Sequence, residues 1–303
     1  MTVAVSVVIP TYNRAQDLLR ALASLRAQTV DDWEAVVADS RSEDGTREAV
    51  EGLHDPRIRL LEVQVRGAVG HSRNEGIRAA AAEYVAFLDS DDWWAPRKLE
   101  ESLRRLRAGA DVVYHDLYLV RSARQRFFWR RSGTRSLRAP VFRDLLENNN
   151  ALATSSVVTR RELLMRAGGF CEEPQWMGWE DYDTWLRIAQ LTDRFERIDE
   201  PLGYYWFGGG NISTPARLLM NLDAFRNKYV EGADAPLHGA PAWFHYVSGR
   251  GHFLSGDFSA VPAHMARAIA AGPPTTLELK ARWFLFLSRV RHGWRETGGL
   301  PQR

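Results

Sequence analysis

Two acidic constellations in this chain have the residue types and spacing to do chemistry. Asp89-Ser90-Asp91-Asp92 sets three carboxylates within four positions. At about 4 Å a like-charge pair costs roughly 1 kcal/mol in water and roughly 4 kcal/mol at an effective dielectric of 20, a repulsion that a bound cation relieves. Carboxylate oxygens suit hard Mg2+ or Mn2+, held by one or two carboxylates together with substrate phosphates. The competing account is an acidic turn that caps the helix opening near Pro96; its place directly after the apolar run Tyr84 to Leu88 favours the metal. The second constellation, Glu180-Asp181, opens a helical stretch from Glu180 to Leu191. Acids in a first turn are stabilised by the helix dipole, and the same placement presents Asp181 toward a cleft as a proton acceptor. Trp176 and Trp179 just upstream are of the kind that stacks on sugars or simply packs. The lone Cys171 reads as a small apolar residue, and the eight histidines have no paired metal spacing.

These residues need a scaffold, and the periodicity supplies one. Val3 to Ile9, Trp33 to Ala38, Ile58 to Val63, Tyr84 to Leu88 and Asp111 to Tyr114 are short apolar runs that read as buried strands, the first ended by Pro10. Helical patterns lie between them: Leu18, Leu19, Leu22 and Leu25; a start at Asp44-Gly45-Thr46; Arg73 to Ala82; and Leu99, Leu103 and Leu106 after Pro96. Strict alternation predicts an α/β fold with a mostly parallel sheet flanked by helices. In such sheets ligands bind beyond the carboxyl ends of the strands. Three of those ends are polar: Pro10-Thr11-Tyr12-Asn13-Arg14, Asp39-Ser40-Arg41-Ser42 and the acidic turn at Asp89. From Arg121 to Arg138 the rhythm breaks into an Arg- and Ser-rich loop around Phe127-Phe128-Trp129. A strand is predicted over Ala153 to Val158 and a short helix over Arg161 to Ala167, stopped by Gly168-Gly169. After Pro215 two or three helices follow.

The 303 residues suffice for a large core without disulfides, and 45% hydrophobic with 26% charged residues is ordinary for a globular protein. A net charge of +2 argues against a nucleic-acid partner. Of 40 basic residues only Lys98, Lys228 and Lys280 are lysines, a bias that reads mainly as compositional, although arginine suits bidentate phosphate contacts. With no apolar run of membrane-spanning length and no cleavable leader pattern, a cytoplasmic protein is expected.

The motifs, taken in order, resemble the family 2 inverting glycosyltransferases of the GT-A fold. Ser6 to Arg14, Val37-Ala38-Asp39-Ser40, Asp44-Gly45-Thr46, Arg73-Asn74-Glu75-Gly76, Phe87 to Asp92, Gly168-Gly169-Phe170 and Trp179 to Arg187 carry the likeness from about Val5 to Ser213. The resemblance implies a catalytic domain over 1–215, with a nucleotide-sugar half at about 1–116 and an acceptor half at about 117–215, and a helical C-terminal region over 216–303. It implies a UDP-, GDP- or dTDP-sugar donor and a hydroxyl acceptor. Pro10, Thr11, Tyr12, Arg14, Asp39, Arg73, Asp89 and Ser90 would line the nucleotide, with Tyr12 giving its ring and Asp39 its carboxylate to the base. Asp91 would be the direct ligand of Mg2+ or Mn2+, and Asp89 would contact the ribose or the metal's waters. Asp181 matches the catalytic base, with Glu180 and Trp179 toward the acceptor. Other classes fit less well. A dehydrogenase or nucleotidyltransferase lacks its Gly-x-Gly-x-x-Gly or phosphate-loop signature here, and a weakly active or non-catalytic sugar-nucleotide binder would not need both Asp91 and Asp181.

Two departures from the family pattern stand out. Ala38 replaces a first acidic residue, leaving base recognition to Asp39. Trp206 and Gly208 stand where many relatives have arginine and histidine, so Arg14, Arg73 or an arginine of the Arg121 to Arg138 loop is expected to meet the diphosphate. Near the C-terminus, Leu279, Trp283, Phe284, Phe286, Leu287 and Val290 are interleaved with Lys280, Arg282, Arg289, Arg291 and Arg295. Packing against the protein is the favoured account of this helix; the other is an interfacial helix that brings the chain to the inner face of a membrane.

Overall fold

A computed structural model of the chain describes residues 3–122, 125, 130–208 and 214–296, with side chains as far as 289. Phe127-Phe128-Trp129, residues 209–213, and the side chains of Val290, Arg291 and Arg295 lie outside the described residues. The described strands are β1 (Val5–Thr11), β2 (Trp33–Asp39), β3 (Ile58–Glu62), β4 (Tyr84–Phe87), β5 (Trp93–Trp94), β6 (Val112–His115), β7 (Tyr118–Val120), β8 (Arg130–Arg131), β9 (Val158–Arg160), β10 (Phe195–Ile198) and β11 (Gly203–Trp206). The described helices are α1 (Ala15–Arg26), α2 (Thr46–Glu51), α3 (Val69–Ala79), α4 (Lys98–Arg107), α5 (Val141–Asn148), α6 (Arg161–Arg166), α7 (Glu180–Ala189), α8 (Pro215–Tyr229), α9 (Ala242–Ser255), α10 (Val261–Ala270) and α11 (Thr275–Glu296). They divide into two compact units. One comprises Met1–Phe142, Asn150–Glu173 and Trp179–Asn211; the other comprises Arg143–Asn149, Pro174–Gly178 and Ile212–Arg303.

The first unit is built on a seven-stranded sheet in the order β10-β6-β9-β4-β1-β2-β3, parallel except for β9. The apolar runs are strands because both faces of the sheet are covered: Val5, Val7, Val8, Ile9, Val36, Val37, Val85 and Phe87 have no exposed surface. Leu18, Leu22 and Leu25 of α1, and Leu99, Leu103 and Leu106 of α4, pack into the same core as β1 and β2. In register, Thr11 lies opposite Asp39, and Val8 opposite Phe87, so the three polar strand ends share one edge of the sheet.

Two expectations are corrected in this unit. Pro10 does not end the first strand but lies inside β1, paired with Ala38. Val8 turns its carbonyl toward Leu88 on the β4 side. By alternation Pro10 faces the same side, where pairing with β4 has already stopped at Val8, so its missing N–H leaves no gap in the ladder. The strand expected over Ala153 to Val158 is a 3-10 turn, Thr154–Ser156, followed by β9. There hydroxyls compete with the ladder: Ser156 Oγ donates to the Ala153 carbonyl at 2.6 Å. A second sheet, ordered β5-β11-β7-β8, consists of strands of two to four residues, too short to leave a periodic signature.

From Pro215 onward the described residues form four helices, α8 to α11, where two or three were expected. Gly256, in the left-handed region at φ 83°, closes α9 and separates it from α10. Phe225 of α8 meets Tyr229, Trp243 and Phe244 at ring-centroid distances of 5.1, 5.1 and 6.0 Å. Val261, Met265, Ala268 and Ala281 form a further apolar cluster, with Phe284 and Leu285 against it. No helix among the described residues is long and apolar enough to cross a membrane.

Gly76 sets the approach of α3 to the sheet, because a Cβ there would overlap Cγ1 of the fully buried Val8. Gly76→Ala is therefore expected to destabilise the protein by about 1–3 kcal/mol, the usual penalty of overpacking, read as a lowered denaturation midpoint with unchanged slope. An unchanged midpoint would show that α3 has room to move.

Candidate active site

The acidic turn after β4 is held from four directions. The Asp89 backbone N–H donates to Ser155 Oγ at 3.1 Å, and its carboxylate Oδ1 accepts from Arg73 Nη2 at 2.7 Å. Asp91 Oδ2 accepts from Arg14 Nη1 at 2.9 Å, and the Asp91 carbonyl from Arg20 Nη2 at 2.7 Å. Burial first, and then the charge of Asp89, push the Asp91 carboxyl up to about 6 against the opposing pull of Arg14. Asp92 is enclosed and takes the Trp206 N–H at 2.9 Å. Burial and its two acidic neighbours raise it well above the usual carboxylate range, so it belongs to the framework.

The motif Arg73-Asn74-Glu75-Gly76 on α3 now has a physical content. The Arg73 guanidinium, 3% exposed, reaches Asp89 through Nη2 and Glu180 Oε1 through Nη1 at 2.6 Å, and lies over the Phe170 ring at 5.1 Å. Asn74 clamps the backbone of Phe170, donating to its carbonyl at 2.9 Å and accepting from its N–H at 2.7 Å. Gly168 and Gly169 precede Phe170 at φ 81° and 73°, a turn that side-chain-bearing residues rarely make. This differs from the expected geometry at two positions. Arg73 is enclosed between two carboxylates rather than presented to a ligand. Glu180, 5% exposed, faces Arg73 rather than an acceptor, because a buried guanidinium requires anionic partners.

Asp181 is only half-buried. Its Oδ2 accepts from Thr154 Oγ1 at 2.6 Å and its Oδ1 from the Tyr182 N–H at 2.6 Å. Burial and the neighbouring Glu180 charge lift its carboxyl to about 6, while Thr154, Arg73 and the Tyr182 N–H pull it down. The 3-10 turn thus serves both constellations: Thr154 holds Asp181, and Ser155 holds Asp89. Sequence periodicity missed this role; the run Thr154-Ser155-Ser156 after three asparagines was the available signal. Trp179 is half-buried and packs edge-on against Tyr182 at 5.9 Å. Trp176, weighed as a sugar platform, is 3% exposed and packed on Tyr229 at 6.1 Å.

At the other strand ends, Tyr12 is 38% exposed beside the buried Pro10 and Thr11. Asp39 is tied to Ser42, whose Oγ donates to it at 2.5 Å. The two loops are cross-linked: the Asn13 N–H donates to Ser42 Oγ and Asn13 Oδ1 accepts from the Glu43 N–H, both at 2.8 Å. Asp44 caps α1 by accepting from the Ala15 N–H at 2.9 Å and opens α2 by accepting from Thr46 Oγ1 at 2.6 Å. Ser90 is buried in the acidic turn. The departures at Trp206 and Gly208 are linked, since a Cβ at 208 would overlap the Trp206 indole. That indole lies 5.3 Å from the Arg20 guanidinium, which also covers Trp93 at 4.4 Å. Arg20, absent from the expected set, is therefore a third cation at the acidic turn, beside Arg14 and Arg73.

Among the described residues no group of three or more His, Cys, Asp and Glu forms a ready-made metal site. The acidic turn instead offers two partly exposed carboxylates, Asp89 and Asp91, with side-chain exposures of 28% and 17%. Their hard oxygen donors, and the raised Asp91, fit a divalent cation completed by ligand phosphates.

Comparison with known proteins agrees with the fold. The family model "Glycosyl transferase family 2" matches residues 6–167. An uncharacterized glycosyltransferase from Nostoc is 30% identical over 214 residues, 68% of this chain; the match spans only 66% of that protein's length. By structure, the chain is similar to Staphylococcus aureus TarS, solved with UDP-GlcNAc, with a TM-score of 0.61 and 18% identity over 99% of this chain and 93% of that one. It is also similar to a mannosyltransferase from Pyrobaculum calidifontis, solved with GDP-Man and Mn2+, with a TM-score of 0.54 and 21% identity over 97% of this chain and 88% of that one. At these identities the likeness is one of fold, which is of the GT-A type. The chain belongs to glycosyl transferase family 2.

Proposed function

We propose that the protein transfers a sugar from a nucleoside-diphosphate sugar to a hydroxyl acceptor by direct displacement, inverting the anomeric centre. The observation that carries this reading is Asp181: a half-buried carboxylate poised at about 6, fixed by Thr154, and linked through Glu180 and Arg73 to the acidic turn. A base near its working pH is efficient at taking a proton from an incoming hydroxyl. In the step, Asp181 accepts that proton, the acceptor oxygen bonds to the anomeric carbon, and the bond to the diphosphate oxygen breaks. The electron pair leaves with the nucleoside diphosphate. No protein nucleophile is required, and attack opposite the leaving group inverts the centre.

Asp91, with Asp89, would hold Mg2+ or Mn2+, which supplies charge neutralisation for the departing diphosphate. Arg14 and Arg20 add positive charge at the same turn, in place of the arginine and histidine missing at Trp206 and Gly208. The base of a UDP-, GDP- or dTDP-sugar would lie against Tyr12 and Asp39. Residues 1–116 would then serve the donor and 117–215 the acceptor, with Trp179 at the acceptor side and Glu180 as the group that positions Arg73. No feature of the site favours nucleic acid.

Asp181→Asn is expected to lower turnover by about 10²–10⁴-fold while donor affinity stays within twofold. Because the raised carboxyl favours the protonated native state, its stabilisation is complete at acid pH and lost as pH rises through about 6. The same variant should therefore melt no lower than the parent at pH 8, and higher if the charge is the main burden. Wild-type turnover should fall as pH drops below about 6, with donor binding followed over the same range to separate the contribution of Asp91. Wild-type rates in the Asn variant would remove Asp181 as the base.

In a thermal-shift screen of UDP-, GDP- and dTDP-sugars, the matching donor should raise the melting temperature only with Mg2+ or Mn2+ present. Asp91→Ala or a chelator should abolish the shift, and a shift indifferent to chelator would exclude the metal role. Arg73→Ala leaves two buried or half-buried carboxylates facing each other and is expected to destabilise the protein by about 3–5 kcal/mol in equilibrium unfolding, where a surface arginine would give almost nothing.

A further inference from the structure

We propose that the outward face of α11 docks the protein onto an anionic lipid surface. The sequence left this helix between two accounts, and the structure divides its apolar residues between two faces. Ala281 and Ser288 are fully enclosed, and Phe284 and Leu285 pack against the cluster of Val261, Met265 and Ala268. Phe284 meets Tyr246 and Phe253 edge-on at 6.0 and 5.2 Å. Leu279, Trp283 and Phe286 are the exception: they are 63, 57 and 56% exposed. At about 100° per residue these three fall within about 60° of one another and roughly opposite the packed arc. The unit's core is therefore complete without them.

Their chemistry points to lipid. Trp283 and Phe286 stack on each other at 5.8 Å, forming a flat aromatic ridge on the convex outside of a single helix. Aromatic and leucine side chains on such a ridge suit burial at the boundary of headgroups and acyl chains. The flanks are basic. Lys280 on one side and Arg282 and Arg289 on the other are exposed; Arg282 pairs with Glu278 at 2.7 Å, the one acid of this helix among its described side chains, which leaves Lys280 and Arg289 as the net positive charge of the flanks. An apolar ridge between basic flanks is complementary to an anionic headgroup layer. An amphipathic helix of this kind lies in the plane of the interface, with its apolar ridge at the boundary of headgroups and acyl chains.

The test is flotation of the full chain with vesicles of 70% phosphatidylcholine and 30% phosphatidylglycerol, against pure phosphatidylcholine. The protein should float with the anionic vesicles and bind neutral ones at least tenfold more weakly, with the anionic binding reduced in 0.5 M salt. Trp283→Ser combined with Phe286→Ser should lower anionic-vesicle binding at least tenfold without changing the melting temperature, because both side chains are exposed. Lys280→Glu combined with Arg289→Glu should do the same while leaving the aromatic ridge intact. Failure of the parent to float, or flotation unchanged in both double variants, overturns the proposal. So does a dimer in sedimentation velocity that the serine pair dissociates while the parent ignores vesicles, which would make the ridge a contact between copies of this chain.

Discussion

The site depends on one buried cation. Arg73 is enclosed, and its guanidinium joins Asp89 at the end of the β4 strand to Glu180 at the start of α7. A guanidinium out of water is tolerable only with anionic partners in good geometry. The two carboxylates fix Arg73 as firmly as it fixes them. Asn74 beside it ties down Phe170, over which the guanidinium lies, and Gly76 lets the helix that carries both approach β1 closely. Asp89, proposed as a metal ligand, and the residue next to the candidate base are thereby parts of one ionic bridge, so neither can shift alone.

Asp181 gains its character from the same arrangement. Its neighbour Glu180 is drawn inward by Arg73, which leaves Asp181 as the member of the pair with surface still open. Burial first, and then the nearby Glu180 charge, raise its carboxyl while Thr154 and Arg73 moderate the effect, so two adjacent acids sit in different surroundings. The hydroxyl of Thr154 then fixes the direction of the carboxylate, and the adjacent Ser155 does the corresponding work for Asp89.

Much of this was legible in one dimension. The runs Val3 to Ile9, Trp33 to Ala38, Tyr84 to Leu88 and Asp111 to Tyr114 stand out because central strands covered on both faces need near-continuous hydrophobicity, while the edge strand β3, within the run Ile58 to Val63, is only partly buried and carries Arg59 and Glu62. The leucines of α1 and α4 stand out because a helix buried on one face needs a period of 3.6. The antiparallel β9 and the second sheet were not legible, being two to four residues long and held by neighbours distant in sequence. Nor were the pairings in the site. That Arg73 meets Glu180, 107 positions away, follows from packing and has no local signature. The departure at Trp206 likewise became interpretable only with Arg20 found over its ring and Gly208 found close against the indole.

The cross-links between the first two strand-end loops have a consequence for affinity. Asn13 bonds to Ser42 and Glu43, Asp44 reaches back to Ala15, and Asp39 holds Ser42, so the loops around Tyr12 are braced by the chain's own side chains. Were a nucleotide to bind there, as proposed, loops so braced would leave less conformational entropy to be lost on binding. On that proposed reading, discrimination between bases rests on the spacing of Tyr12 and Asp39 that these cross-links hold, with no loop closure needed to create it.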